Sequence, residues 1–225
     1  MNRMLPLLVF AMTVGRASAQ DDTGIVAFER LNSAVRQAQS FVAGQPESQP
    51  SLKLDLADIS RSATRLSNLY KSSLRKKQPP NSLPRVYVIS LDADSSSLES
   101  LPDTPKDSRA AIVKDVREDA GTKADYASAG RGDTFPAVIQ VTVETEHEGK
   151  KVDDLWVRCN PARDGVTKTP MYLFNSATSP TTSQLPPASL IMWIEPTSGG
   201  PILAEQFIKT GQGGNDKETI KFPIP

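Results

Sequence analysis

Few residues in this sequence are spaced to do chemistry, and the most suggestive are carboxylates. Asp92-Ala93-Asp94-Ser95-Ser96 opens like a calcium loop, and Asp103 falls at its twelfth position. Carboxylates at alternate positions of a loop can converge on one hard cation. Asp92, Asp94 and Asp103 are therefore the metal candidates, and calcium is the metal that they would suit. Ser97 stands where the sharp turn takes glycine, and Asp103 where the loop takes a bidentate glutamate. A solvated polar loop is thus the plainer expectation, and no other cofactor is expected.

Glu146-His147-Glu148 holds the only histidine. One imidazole between two acids lacks the further ligands of a zinc site, and a solvated hairpin tip explains it better. A Ser-His-Asp triad is equally hard to assemble around it. Hydrolysis by a pair of carboxylates needs no histidine, but no feature singles out a pair. Arg131-Gly132-Asp133 matches an adhesion tripeptide that arises often by chance, and Gly211 to Asn215 reads as a turn. It lacks the Lys-Ser/Thr pair that opens a helix behind a phosphate cradle. No catalytic and no cofactor-binding residue is assigned.

Cys159 is the only cysteine, so no disulfide can form within the chain. In Leu155-Trp156-Val157-Arg158-Cys159, strand alternation puts Leu155, Val157 and Cys159 on one face and Trp156 and Arg158 on the other. A buried, inert thiol is expected, with pairing between chains as the alternative.

The elements that must position these residues follow from composition and periodicity. Arg3, the apolar run Leu5 to Val14 and Ala17-Ser18-Ala19 read as an export signal over residues 1–19, with a mature start at Gln20. The run is shorter than the roughly 20 residues that a membrane-crossing helix needs, and no later segment is apolar enough. The expected localisation is therefore exported, periplasmic or secreted, and no transmembrane segment is expected in the mature chain. The chain carries 26 basic and 26 acidic residues. Removing Arg3 and Arg16 with the leader leaves a slight acidic excess, so no nucleic-acid partner is expected.

Residues 20–80 read as helical. Phe28, Leu31, Val35, Ala38 and Val42 recur at spacings of three and four, and Gly44 is placed to stop that helix. Leu56, Ile59, Ala63, Leu66, Tyr70 and Leu74 form a second stripe, ended by Pro79-Pro80. Residues 84–225 read as a β domain. Arg85 to Leu91 is a strand candidate, Asp92 to Lys106 a loop, and Asp107 to Ala120 a short helix. Then come the β-branched run Val138 to Val143, a charged turn from Glu144 to Asp154, and Leu155 to Cys159. A turn at Asp164-Gly165 precedes a short strand from Met171 to Phe174, and Ser176 to Gln184 reads as a Ser/Thr loop. Ser189 to Ile194 lies between Leu185-Pro186-Pro187 and Pro196-Thr197-Ser198-Gly199-Gly200. The last two strands, Ile202 to Ile208 and Thr219 to Ile224, read as a hairpin. Both tryptophans lie in these runs, on strands expected to be adjacent or facing, and Trp193 is expected to be a core anchor.

The fold class is α+β, an N-terminal helical pair with a C-terminal antiparallel β-sandwich. Asp154-Leu155-Trp156, Ser179-Pro180, Leu185-Pro186-Pro187 before Trp193, and Ile220-Lys221-Phe222-Pro223-Ile224-Pro225 look like parts of a known family. The last third of the chain resembles exported bacterial carboxypeptidase-regulatory-like (transthyretin-like) β-sandwich modules. That resemblance implies a non-catalytic sandwich and carries over no functional residue. The expected function is an exported binding or structural module, with protein or carbohydrate as ligand. The alternative is a carboxylate-dependent, glycosidase-like hydrolase.

Overall fold

The computed structural model describes residues 18–45, 50–75, 83–129, 135–136, 138–162, 172–173 and 180–225. The expected leader lies outside the described residues up to Ala17, as do Arg131-Gly132-Asp133 and the Asp164-Gly165 turn.

The two apolar stripes fold as their spacing dictates. Helix α1 (Ser18–Ala43) and helix α2 (Pro50–Arg75) bury Phe28, Leu31, Val35, Ala38 and Val42 against Leu56, Ile59, Ala63, Leu66 and Tyr70. The Gly44 N–H still reaches the Ser40 carbonyl at 3.2 Å where α1 ends, and Pro50 opens α2, where its missing N–H costs nothing. Tyr70 packs over Gly24, where a Cβ would come within 2.5 Å of the phenol oxygen. Phe135 fills the centre of an aromatic cluster, with ring centroids 5.5 Å from Tyr70, 5.9 Å from Tyr87 and 6.1 Å from Phe28.

The helical pair is extended by two further helices, which corrects the strand and loop expected over residues 85–106. Arg85 to Leu91 is the start of helix α3 (Arg85–Glu99), followed by a 3-10 turn at Leu101–Asp103. Tyr87, Leu91 and Leu98 face the helical core, while Val86 and Ile89 pack against the β core. A helix apolar on two sides gives a continuous hydrophobic run, and such a run imitates a strand. The short helix expected at Asp107 to Ala120 is helix α4 (Lys106–Ala129).

The strands form two sheets. In the first, β1 (Ile139–His147) pairs with β2 (Lys150–Lys151), with β5 (Thr181–Leu185) and with β8 (Lys217–Pro223). In the second, the order is β4 (Tyr172–Leu173), β3 (Trp156–Pro161), β6 (Ser189–Glu195) and β7 (Ala204–Lys209). The end of the expected Ser/Thr loop is thus strand β5, and the expected charged turn is strand as far as His147. Glu148 (φ 49°) and Gly149 (φ 76°) make the two-residue turn, both in the left-handed region that such hairpins need.

Among the described strands all pairings are antiparallel except β1 with β8, which is parallel, from Gln140 opposite Lys217 to Glu146 opposite Pro223. The last two strands therefore lie in different sheets, and the expected hairpin does not form. Thr210 is pinned after β7 by its N–H to the Ala188 carbonyl at 3.0 Å and its hydroxyl to the Pro186 carbonyl at 2.7 Å. Gly211, at φ 80°, then turns the chain across to the first sheet.

Ile139, Val141, Val143, Leu185 and Phe222 of the first sheet share one hydrophobic cluster with Val157, Cys159, Leu190, Met192 and Ile194 of the second. Burying each of the larger of these side chains is worth about 1.5–3 kcal/mol. Burial pushes the Cys159 thiol far above its ordinary range, so it packs as an inert hydrophobe.

Candidate functional site

The three candidate calcium ligands are not brought together. Asp92 and Asp94 stand on helix α3, where two residues of spacing turn a side chain by about 200°. Asp92 accepts a 3.1 Å hydrogen bond from Arg30, whose guanidinium also grips Glu99 at 2.8 Å. Asp94 faces inward and Asp103 sits in the 3-10 turn. Among the described residues no three His, Cys, Asp or Glu side chains form a metal-holding group. His147 is exposed at the end of β1, beside the β2 hairpin turn, with Nδ1 3.2 Å from the Ile224 carbonyl oxygen.

Asp94 instead meets a residue that sequence reasoning missed. Lys123 of α4 is fully buried, 2.9 Å from Asp94 Oδ2 and 3.9 Å from Asp119 Oδ2, and both carboxylates are buried as well. Asp119 Oδ1 accepts the Ser189 backbone N–H at 2.7 Å, so the cluster ties α3 and α4 to the first residue of β6. The Tyr87 hydroxyl and Ser90 Oγ are buried on the same face of α3 and have no hydrogen-bond partner. Burial, then the charge of Asp94, drives the Tyr87 phenol well above its ordinary range. The signal that could have flagged Lys123 is its company. Asp119 lies one turn before it, and Ala120, Ala124 and Ala127 leave room for a neighbouring element to close over that face.

The second charged cluster lies on the β sheet. By register, Trp156, Arg158 and Asn160 of β3 share a face with Glu195, Trp193 and Ile191 of β6, opposite the shared core. The strand adjacency expected for the two tryptophans holds, and Trp193 is 1% exposed. Its indole N–H donates to Glu195 Oε1 at 2.7 Å, and Glu195 Oε2 accepts the Gly199 N–H at 2.9 Å and faces Arg158 Nε at 3.5 Å. The Arg158 guanidinium stacks 4.7 Å from the Trp156 ring centroid and donates to Ser198 Oγ at 2.9 Å. Burial pushes the Glu195 carboxyl up, and the donors Trp193, Gly199 and Arg158 more than offset this, holding it below the usual carboxylate range. Trp156 is half-buried, and Thr197 to Gly199 form an exposed polar rim beside it.

A third group closes the far end of α4. Tyr126 donates to Asp216 Oδ1 at 3.1 Å, and burial followed by that bond pushes its phenol up to about 12. Burial raises the Glu218 carboxyl although the Gly211 N–H donates to it at 2.9 Å.

Searches against protein-family models, curated proteins and solved structures gave no match for this chain. Its chemistry therefore rests on the three groups themselves. The lysine cluster is sealed from solvent and ties α3 and α4 to β6. Glu195 is held below the usual carboxylate range by its three donors. Glu218 is the carboxyl that burial pushes towards the protonated form a general acid needs.

Proposed function

We propose that the chain is an exported, non-catalytic binding module that recognises a polypeptide ligand through the half-buried Trp156 indole and the exposed turn Thr197 to Gly199 beside it. One observation carries the reading. The Trp156 indole and Arg158 guanidinium are held as a rigid stack by Glu195 and Ser198, beside an exposed polar rim. Tryptophan is a residue type that concentrates binding energy at protein interfaces, and the buried Arg158 backs it from below. A stack fixed by its own hydrogen bonds also loses little side-chain freedom when a ligand arrives. The resemblance of the last third to transthyretin-like modules points the same way. The export-signal pattern of residues 1–19, with Arg3, the apolar run Leu5 to Val14 and Ala17-Ser18-Ala19, is what supports export.

Capture from the extracytoplasmic fraction of the native host tests the reading, with wild type and Trp156→Ala as baits. Proteins retained by wild type and lost with Trp156→Ala support it, and retention of soluble polysaccharide instead would move the ligand class to carbohydrate. Export is checked by intact mass of the native protein, which should begin at Gln20.

The alternative, a carboxylate-dependent hydrolase, is favoured by one feature, the raised Glu218 carboxyl near Asp216 and Tyr126. Turnover of chromogenic glycosides or esters that vanishes in Glu218→Gln would establish it and end the binding-module reading.

A further inference from the structure

Lys123 reaches Asp94 across the packing of α3 on α4, with Nζ 2.9 Å from Oδ2, and Asp119 one turn back on its own helix at 3.9 Å. All three side chains are 0% exposed. In such a place an ion pair gains least from being ionic, because desolvation disfavours charge on either partner. One proton passed along the 2.9 Å contact turns the pair into an amine beside a carboxylic acid. An amine held against a carboxyl group and away from bulk water is the reactant of an amide-forming condensation. The Asp94 carboxyl carbon is one bond behind Oδ2. A small rotation of the carboxyl therefore sets it at the roughly 3–3.5 Å of a near-attack arrangement.

The two carboxylates are not equivalent. Asp119 is oriented by the Ser189 backbone N–H, which donates to Oδ1 at 2.7 Å while Oδ2 faces Lys123. Asp94 shares its face of α3 with Tyr87 and Ser90, at the spacings of successive turns. Both hydroxyls are buried and find no hydrogen-bond partner among the described residues, and the Tyr87 phenol is near enough to feel the Asp94 charge. Buried donors left unpaired are costly, and these stand where an oxyanion developing on Asp94 would take them up. We infer that Lys123 and Asp94 condense to an intramolecular amide that cross-links α3 to α4. The Lys123 nitrogen attacks the Asp94 carboxyl carbon, the N–C bond forms, and the C=O electron pair moves onto oxygen, to which Tyr87 and Ser90 donate. Asp119 takes the proton from nitrogen and delivers it to the departing hydroxyl. The C–O bond breaks, one water is released, and Asp119 is a carboxylate again. The ion pair described above is the reactant, and the amide removes both of its charges from the core. The bond joins positions 29 residues apart and takes conformational freedom from the unfolded chain, as a disulfide of that span would. The inference does not depend on the ligand proposed for Trp156.

Mass spectrometry of the unfolded full chain reads the bond directly. Wild type should be lighter than its sequence by one water. Trypsin should leave Lys123 uncut, in a branched product that joins it to the peptide carrying Asp94. Asp119→Asn keeps the amine and the carboxyl but loses the base, and should show the full mass and cleavage after Lys123, with an unchanged circular-dichroism spectrum. Should Asp119→Asn fail to fold, Lys123→Met in an Asp94→Asn, Asp119→Asn background supplies the unlinked mass for comparison. Wild type of full mass, cut after Lys123, would overturn the inference. A one-water loss that maps to a single cyclised aspartate, with Lys123 still cut, would overturn it equally. A folded Asp119→Asn that still loses water would overturn the role of Asp119 as the base.

Discussion

The two halves of the molecule each bury an ion pair, and they do so in opposite ways. In the helical half Lys123 sits between Asp94 and Asp119 with all three side chains sealed. In the β half Arg158 and Glu195 are nearly as buried, but aromatic rings and an exposed turn surround them. A sealed pair gains little over well-packed apolar residues, and breaking it strands a charge. The Lys123 cluster therefore acts as a registry device, fixing α3 and α4 against the first residue of β6. In the Arg158 cluster Glu195 accepts from Trp193, Gly199 and Arg158, so losing one donor leaves two and costs less.

Breaking the sealed cluster should give the largest effect. Lys123→Ala leaves two carboxylates buried without their cation and should cost about 3–5 kcal/mol, read from the denaturant midpoint. Removing all three charges with Lys123→Met in an Asp94→Asn, Asp119→Asn background should recover much of that loss. If Lys123→Ala melts like wild type, the cluster is hydrated and the comparison fails.

In the Arg158 cluster, Trp193→Ala should also cost about 3–5 kcal/mol, because the whole indole leaves a buried site. Trp193→Phe removes the donor to Glu195 and part of the buried ring volume but keeps most of the aromatic packing, and should cost about 1–3 kcal/mol in the same melts. Arg158→Met should fall in that lower range as well, since Glu195 keeps its bonds from Trp193 and Gly199. A loss as large as that of Lys123→Ala would make the two clusters equivalent.

Acid titration sharpens the contrast. Glu195 has a lowered folded pKa, so its stabilisation is present above its unfolded value and is lost as pH falls through the folded one. Glu218 has a raised folded pKa, so the contribution it makes at low pH is lost as pH rises through that value. Glu195→Gln should flatten the acid limb of the stability profile, and Glu218→Gln should stabilise the protein modestly at neutral pH. The smallest effect belongs to the exposed pair Arg65–Asp125, where Arg65→Ala should leave the melting midpoint unmoved.

How much of this was legible in the sequence depended on whether each element has one apolar face or two. Helices α1 and α2 were readable because their stripes are single. Helix α3 was not, because Tyr87 and Leu91 serve one core while Val86 and Ile89 serve another. Trp193 was readable as an anchor from the apolar run around it. Its partner Glu195 was not, since the bond between them depends on how the following turn folds back through Gly199. Lys123 was hidden for a further reason. A lysine in a helix rich in charged residues reads as a solvated face, and only the packing of α3 and β6 around it shows otherwise. The crossing after Thr210 was misread as a hairpin because a glycine turn looks the same whether the next strand returns to its neighbour or passes to the other sheet.

That crossing sets an order of assembly during synthesis. Strand β1 is flanked on one side by β8, so Thr145 waits for Phe222 before its ladder is complete. At roughly 5–20 residues per second, the ribosome leaves β1 with that flank open for on the order of ten seconds. The helices are finished before any strand is made and can shelter the nascent chain during this interval, with Val86 and Ile89 of α3 already presented to receive the β core.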